Sequence, residues 1–250
     1  MSYLHGKFVW FEHVSKDMPK ARTFYAELFG WNSDGVPMGG QQYYMIKNGT
    51  AGIGGFRTAT PGLQPHWMSY LSVADVDASV AAAQKAGAKI LMPPTDFPPV
   101  GRGATLADPQ GAAFSIWKGA DGDREDLDPI PDGDWYWNEL MTKDEGAALK
   151  FYEGVFGFAH DAMPMGPQFT YYVLKNGGVP RGGLMKAPDP QVPPMWLPYV
   201  RVADCDASVA RAKRLGANVM KEPTDIPEVG RFAVFVDPTG AALAIIKGMG

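Results

Sequence analysis

The sequence predicts an α+β protein made of one unit written twice. Three observations carry that expectation: long segments recur at a nearly constant offset, strand-like and helix-like runs follow the same order in each copy, and an acidic stretch poor in apolar residues separates the copies. SKDMPKARTFYAELFGW (15–31) recurs as TKDEGAALKFYEGVFGF (142–158), QYYMIKNG (42–49) as TYYVLKNG (170–177), VADVDASV (73–80) as VADCDASV (202–209), and DPQGAAFSIWKG (108–119) as DPTGAALAIIKG (237–248). The offset drifts only from 127 to 129 residues, and 16 of 27 positions are identical between 93–119 and 222–248, too many for chance. Between the copies lies GADGDREDLDPIPDG (119–133), which reads as an exposed linker.

Within the first copy the elements follow from local chemistry. KFVWFEHV (7–14) is rich in β-formers. Asp17 or Ser15 caps the next segment, Pro19 suits a first helical turn, and Phe24, Tyr25, Leu28 and Phe29 form an apolar stripe that Gly30 ends. YYMIK (43–47) and AGIGGF (51–56) read as strands. The pattern then restarts: WMSYLSV (67–73) is a strand, Asp75 caps a helix through Ala86 with Val76, Val80 and Ala83 on one face, and 89–92, 102–107 and 112–118 are strands. Each copy is therefore expected to be β-α-β-β-β twice.

Composition narrows the function classes. A net charge of −4 offers no electrostatic footprint for nucleic acid or an anionic membrane. No apolar run approaches membrane-spanning length, no signal peptide is visible, and the single Cys205 forms no intramolecular disulfide, so a cytoplasmic location is expected. G-x-S-x-G, H-E-x-x-H, P-loop, dinucleotide-binding and C-x-x-C signatures are absent.

The order of elements resembles the vicinal oxygen chelate superfamily, which contains glyoxalases, bleomycin-resistance proteins and extradiol dioxygenases. The resemblance is carried by the F-Y…F-G helix ends (Phe24, Tyr25, Phe29, Gly30; Phe151, Tyr152, Phe156, Gly157), the V-x-D-x-D-A-x-V runs (73–80, 202–209) and the D-P-x-G-A-A runs (108–113, 237–242). It covers nearly the whole chain and looks closest to tandem-domain bacterial members. It implies a glyoxalase-like domain at 1–120, a linker at 121–133 and a second domain at 134–250. In each, two βαβββ modules would form a curved sheet whose concave face is a cup, with helices on the convex face.

The resemblance also implies a divalent cation held by His, Gln or Glu. Its positions here carry Trp10 and Trp137 seven residues before the capping Asp, Met68 and Leu197 at the matching places of the other modules, and Ser115 and Ala244 where D-P-x-G-x-x-x-E would end. None suits such a cation, so no metal and no other cofactor is expected. Of the four histidines, His13 points to the helix side by strand alternation, and His66 lies just ahead of Met68, where a shifted strand would bring it in. The histidines read as loop or surface residues rather than ligands.

Alternation places Trp10, Glu12, Met68, Tyr70, Ser115 and Trp117 in the first cup, and Trp137, Glu139, Leu197, Tyr199, Ala244 and Ile246 in the second. Concave apolar pockets with aromatic faces suit a small aromatic or conjugated ligand. The expected function is a metal-free small-molecule binding protein. Its ligand-binding residues would be Trp10, Met68, Tyr70, Ser115, Trp117, Trp137, Leu197 and Tyr199. The alternative is an enzyme, a lyase or isomerase on reactive carbonyls or a cofactor-independent oxygenase, with Glu12 or Glu139 as general base. A competing structural role for the two acids is a salt bridge to Arg57, Arg102, Arg201 or Arg231. The partner is a small molecule, with neither nucleic acid nor membrane. The duplication satisfies module pairing within one chain, so a monomer is expected and a homodimer is the alternative.

Overall fold

A computed structural model describes residues 2–38, 41–166 and 169–249. Each copy consists of two modules of one strand, one helix and three strands. In the first copy these are β1 (Phe8–Ser15), α1 (Met18–Phe29), β2 (Asn32–Met38), β3 (Gln41–Asn48) and β4 (Ala51–Thr58), then β5 (His66–Ser72), α2 (Val76–Lys85), β6 (Lys89–Phe97), β7 (Gly101–Ala107) and β8 (Ala113–Gly119). The second copy repeats them as β9 (Trp135–Thr142), α3 (Glu145–Phe156), β10 (Ala159–Pro164), β11 (Thr170–Asn176) and β12 (Val179–Lys186), then β13 (Met195–Arg201), α4 (Cys205–Arg214), β14 (Asn218–Ile226), β15 (Gly230–Val236) and β16 (Ala242–Gly248).

The four helices among the described residues each begin at an aspartate. Asp17, Asp75, Asp144 and Asp204 each accept the backbone N–H three residues on, which satisfies an otherwise orphaned helix donor. Gly30 and Gly157 end α1 and α3 in the left-handed conformation, at φ 74° and 68°. Inside each module the first strand pairs in parallel with the last and the remaining neighbours are antiparallel, as in β1–β4–β3–β2 and β5–β8–β7–β6.

Two sets of strand bounds depart from the sequence reading. β2 and β10 supply the strand that the β-α-β-β-β order required but to which no residues were assigned, because NSDGVPM and AHDAMP lack β-forming alternation. They form by pairing with β3 and β11 along one side only. β6 runs on to Phe97, past Pro93 and Pro94, with irregular register at Met92 and Thr95. As the outermost strand of its module it has no second neighbour to donate to, so proline is tolerated there.

The chain divides into two compact units that do not follow the copies. Unit one comprises Met1–Val9, Ser69–Asp126 and Trp137–Trp196; unit two comprises Trp10–Met68, Leu127–Tyr136 and Leu197–Gly250. In unit one, Leu71, Val76, Val80, Phe114 and Ile116 from the first copy share one core with Leu140, Leu149, Phe151, Tyr152 and Trp196 from the second. In unit two, α1 carries Phe24 to 6.0 Å from the ring of Phe235 on β15. The stretch between the copies is largely exposed yet tied down. In unit one Asp126 pairs with Lys7 and Arg181, and in unit two the Gly133 carbonyl accepts the Trp31 indole N–H at 2.7 Å.

Candidate functional site

On β1, alternation sends Phe11 and His13 to the helix side and Trp10 and Glu12 to the other. The Trp10 indole N–H donates to the Tyr43 hydroxyl at 2.8 Å. Glu12 is buried and receives the Arg57 Nε–H at 2.7 Å. Gly55 lies opposite Glu12 in the β1–β4 register. A Cβ added to Gly55 would sit 1.8 Å from the Tyr43 oxygen, so the phenol occupies the space a side chain would need.

Unit one repeats this arrangement on β9, β11 and β12. The Trp137 N–H donates to Tyr171 at 2.8 Å, and Gly183, registered against Glu139, would place a Cβ 1.8 Å from the Tyr171 oxygen. Tyr171 is also hydrogen-bonded to the buried Glu139. Burial first, and the Glu139 charge second, push the Tyr171 phenol well above its ordinary pKa, so it stays protonated and donates to the carboxylate. The repeat puts Met185 at the Arg57 position. Of the arginines weighed as partners for the two acids, Arg57 alone is seen bonded to one of them. Arg102 binds Asp77 and Asp96, Arg231 binds Asp206 and Asp225, and Arg201 binds Asp132.

The other expected ligand-binding residues separate by unit. In unit one, Trp117 meets Tyr70 edge-on at 6.2 Å and Phe97 at 5.8 Å, and its ring lies over Gly103, where a Cβ would come within 2.6 Å. Ser115 is buried and shares a hydrogen bond with Thr105 at 2.9 Å. In unit two, Met68 and Leu197 are buried, Ala244 and Ile246 are fully or nearly so, and Tyr199 packs 6.4 Å from Phe232. The second copy's last strand is thus aliphatic where the first copy's is polar and aromatic.

Tyr43, Tyr171, Gly55 and Gly183 were not singled out from the sequence. The signal lay in the matched YY of 43–44 and 171–172 and the matched GG of 54–55 and 182–183.

On the helix side, His13 is fully buried, which corrects its reading as a loop or surface residue. Its Nε2–H donates to Asp237 at 2.8 Å, Tyr25 donates to the same oxygen at 2.9 Å, and Trp67 donates to Tyr25 at 2.9 Å. Unit one has the same chain, Trp196 to Tyr152 to Asp108 at 3.0 and 3.2 Å, with Leu140 at the histidine position.

The donor set at the family's cation positions does not fit a divalent metal. The Trp10 and Trp137 indoles are hydrogen-bond donors, with no lone pair to give in the ring plane. Met68 supplies a soft thioether, Ser115 a hydroxyl already bonded, and Leu197 and Ala244 nothing. Among the described residues no group of three or more His, Cys, Asp or Glu side chains gathers to hold a metal ion. Likewise no helix among them is long and apolar enough to cross a membrane.

CFP32 of Mycobacterium bovis, a proposed glyoxylase by name, is 38% identical over 256 residues, covering 98% of this chain and 96% of its own. The anthracycline biosynthesis protein DnrV of Streptomyces peucetius is 33% identical, over 97% of this chain and 93% of its own. Among solved structures, the Mn(II)-bound glyoxalase from Novosphingobium aromaticivorans superimposes with a TM-score of 0.68 at 20% identity, over 97% of this chain and 82% of that one. The 2,2',3-trihydroxybiphenyl 1,2-dioxygenase of Sphingomonas wittichii gives 0.65 at 16% identity, over 99% and 91%. At those identities the structural likeness is one of fold. The family model for the Glyoxalase/Bleomycin resistance protein/Dioxygenase superfamily matches residues 7–116 and again 137–245. With both copies matched, the repeated strand–helix order accounted for and relatives aligned end to end, the chain belongs to the glyoxalase/bleomycin resistance protein/dioxygenase superfamily.

Proposed function

We propose that the chain binds a conjugated aromatic small molecule without a metal, using the Trp–Tyr–Glu sets of both copies. The observation that carries this reading is the duplicated Trp-to-Tyr hydrogen bond laid over a glycine beside a buried glutamate, at 2.8 Å in each copy. Such a set offers a flat indole face for stacking and polar groups to orient a ligand oxygen. The relatives named for anthracycline biosynthesis support the ligand class, since anthracyclines are fused conjugated rings. The metal-free part of the reading is supported by the chemistry of the donor set.

One observation favours an enzyme instead. Glu139 is a buried carboxylate bonded to a phenol that stays protonated, which leaves the carboxylate as the group suited to take a proton from a bound substrate. The test is a titration of intrinsic tryptophan fluorescence with a hydroxyanthraquinone, on the wild type and on Trp10→Phe and Trp137→Phe. Saturable quenching that each substitution weakens supports the binding reading; quenching that neither changes refutes it. Loss of turnover with retained binding in Glu12→Gln and Glu139→Gln would select the enzyme.

A further inference from the structure

The two copies share Trp, Tyr, Gly and Glu but differ around the carboxylate. In the first copy Glu12 is held by Arg57, and the next module opens with His66; the second copy has Met185 and Met195 at those positions. His13 and Trp67 meet edge-on at 5.0 Å on the helix side of unit two. Strand alternation therefore brings their chain neighbours, Glu12 and His66, out together on the opposite face. His66 Nδ1 lies 2.8 Å from the Gln64 carbonyl oxygen. A carbonyl only accepts, so Nδ1 carries the hydrogen and the neutral ring presents its lone pair at Nε2. Burial lowers the His66 pKa. The Gln64 carbonyl and Glu12 pull it upward, while the Arg57 and His13 charges push it further down, and the net effect favours the neutral ring.

We propose that His66 and Arg57 make the first copy's site selective for an acidic hydroxyl, an enol or phenol of the conjugated ligand, with His66 Nε2 taking the proton and the Arg57 guanidinium stabilising the oxyanion. The O–H bond breaks, an N–H bond forms, the electron pair stays on oxygen, and no oxidant or metal is consumed. A guanidinium has several N–H donors in one plane, enough to serve Glu12 and a ligand oxygen together. The second copy, with methionine at both positions, holds the hydroxyl neutral. This inference rests on the conjugated-ligand reading above and adds the protonation state of what is bound.

The test uses the full-length protein and 2-hydroxyanthraquinone, whose phenol and phenolate absorb at different wavelengths. Bound dye is titrated with acid and base in the spectrophotometer while tryptophan quenching reports occupancy. In the wild type a fraction of bound dye should ionise about one pH unit or more below free dye, a shift of about tenfold in proton affinity. His66→Gln should abolish that shift while quenching through the second copy's Trp137 persists. Arg57→Met, which copies the second copy, should do the same independently. Bound dye that titrates like free dye, or variants that titrate like the wild type, would overturn the inference and leave the binding reading standing. Absence of quenching by the dye would refute both.

Discussion

Replacing His13 by leucine, the residue at the matching position Leu140, should cost unit two stability and change its response to acid. Asp237 accepts from His13, Tyr25, the Thr239 hydroxyl and the backbone N–H groups of Thr239, Gly240 and Ala241. Burial alone would raise its pKa, but the His13 hydrogen bond and charge, with Thr239 and Tyr25, outweigh it and hold the carboxyl at about 2. A fall from 3.8 to about 2, at about 1.4 kcal/mol per pH unit, is worth about 2 kcal/mol. Because the folded value is the lower one, that stability is fully present above pH 3.8 and is lost as pH falls toward 2. Asp108, which lacks the histidine, has its pKa raised by burial despite the turn N–H groups and Tyr152, so its contribution runs the other way and improves on acidification. His13→Leu should therefore lower unfolding free energy at pH 7 by at most about 2 kcal/mol, since Thr239 and Tyr25 also hold the carboxyl down, and should flatten the decline between pH 4 and 2. Urea unfolding followed by circular dichroism across that range measures both. A variant as stable as the wild type at pH 7, with an unchanged acid limb, would refute the assignment of Asp237's stabilisation to His13.

Gly183→Ala should displace Tyr171, since the new methyl would fall 1.8 Å from its oxygen; the expected cost is about 1–3 kcal/mol in thermal unfolding, with weaker quinone binding by fluorescence. Cys205 is buried and its thiol is pushed up to about 11 by burial and the charge of Asp206, so a disulfide-exchange reagent at pH 8 should react only after denaturant is added. Sedimentation equilibrium should give the monomer mass of 27.1 kDa; a concentration-dependent dimer would show that modules also pair between chains.

Much of the fold was legible because duplication makes the sequence its own alignment: matched aspartates marked helix starts, and alternation on 8–15 correctly separated His13 from Glu12. The module order called for β2 and β10, but their residues were illegible because their pairing partner, rather than any intrinsic pattern, creates them. The partner of His13 was illegible for a different reason. Asp237 lies 224 residues away, inside a D-P-x-G turn whose backbone bonds already explain an aspartate. Tyr43 and Tyr171 were overlooked because a phenol standing over a glycine on a neighbouring strand leaves no periodic trace. The glycine opposite each glutamate is the local clue, readable once register is known.

The division into units has a consequence for synthesis. Unit one closes only when Trp137–Trp196 has been made, and unit two only when Leu197–Gly250 has been made. At about 5–20 residues per second, the 70 residues from Asp126 to Trp196 take roughly 4 to 14 s, during which Leu71, Phe114 and Ile116 await their core partners. A chain stopped after the first copy would keep those surfaces open, inviting aggregation or union with another nascent chain. Carrying both copies on one polypeptide makes the closing step a tethered encounter whose rate does not depend on how much protein the cell has made.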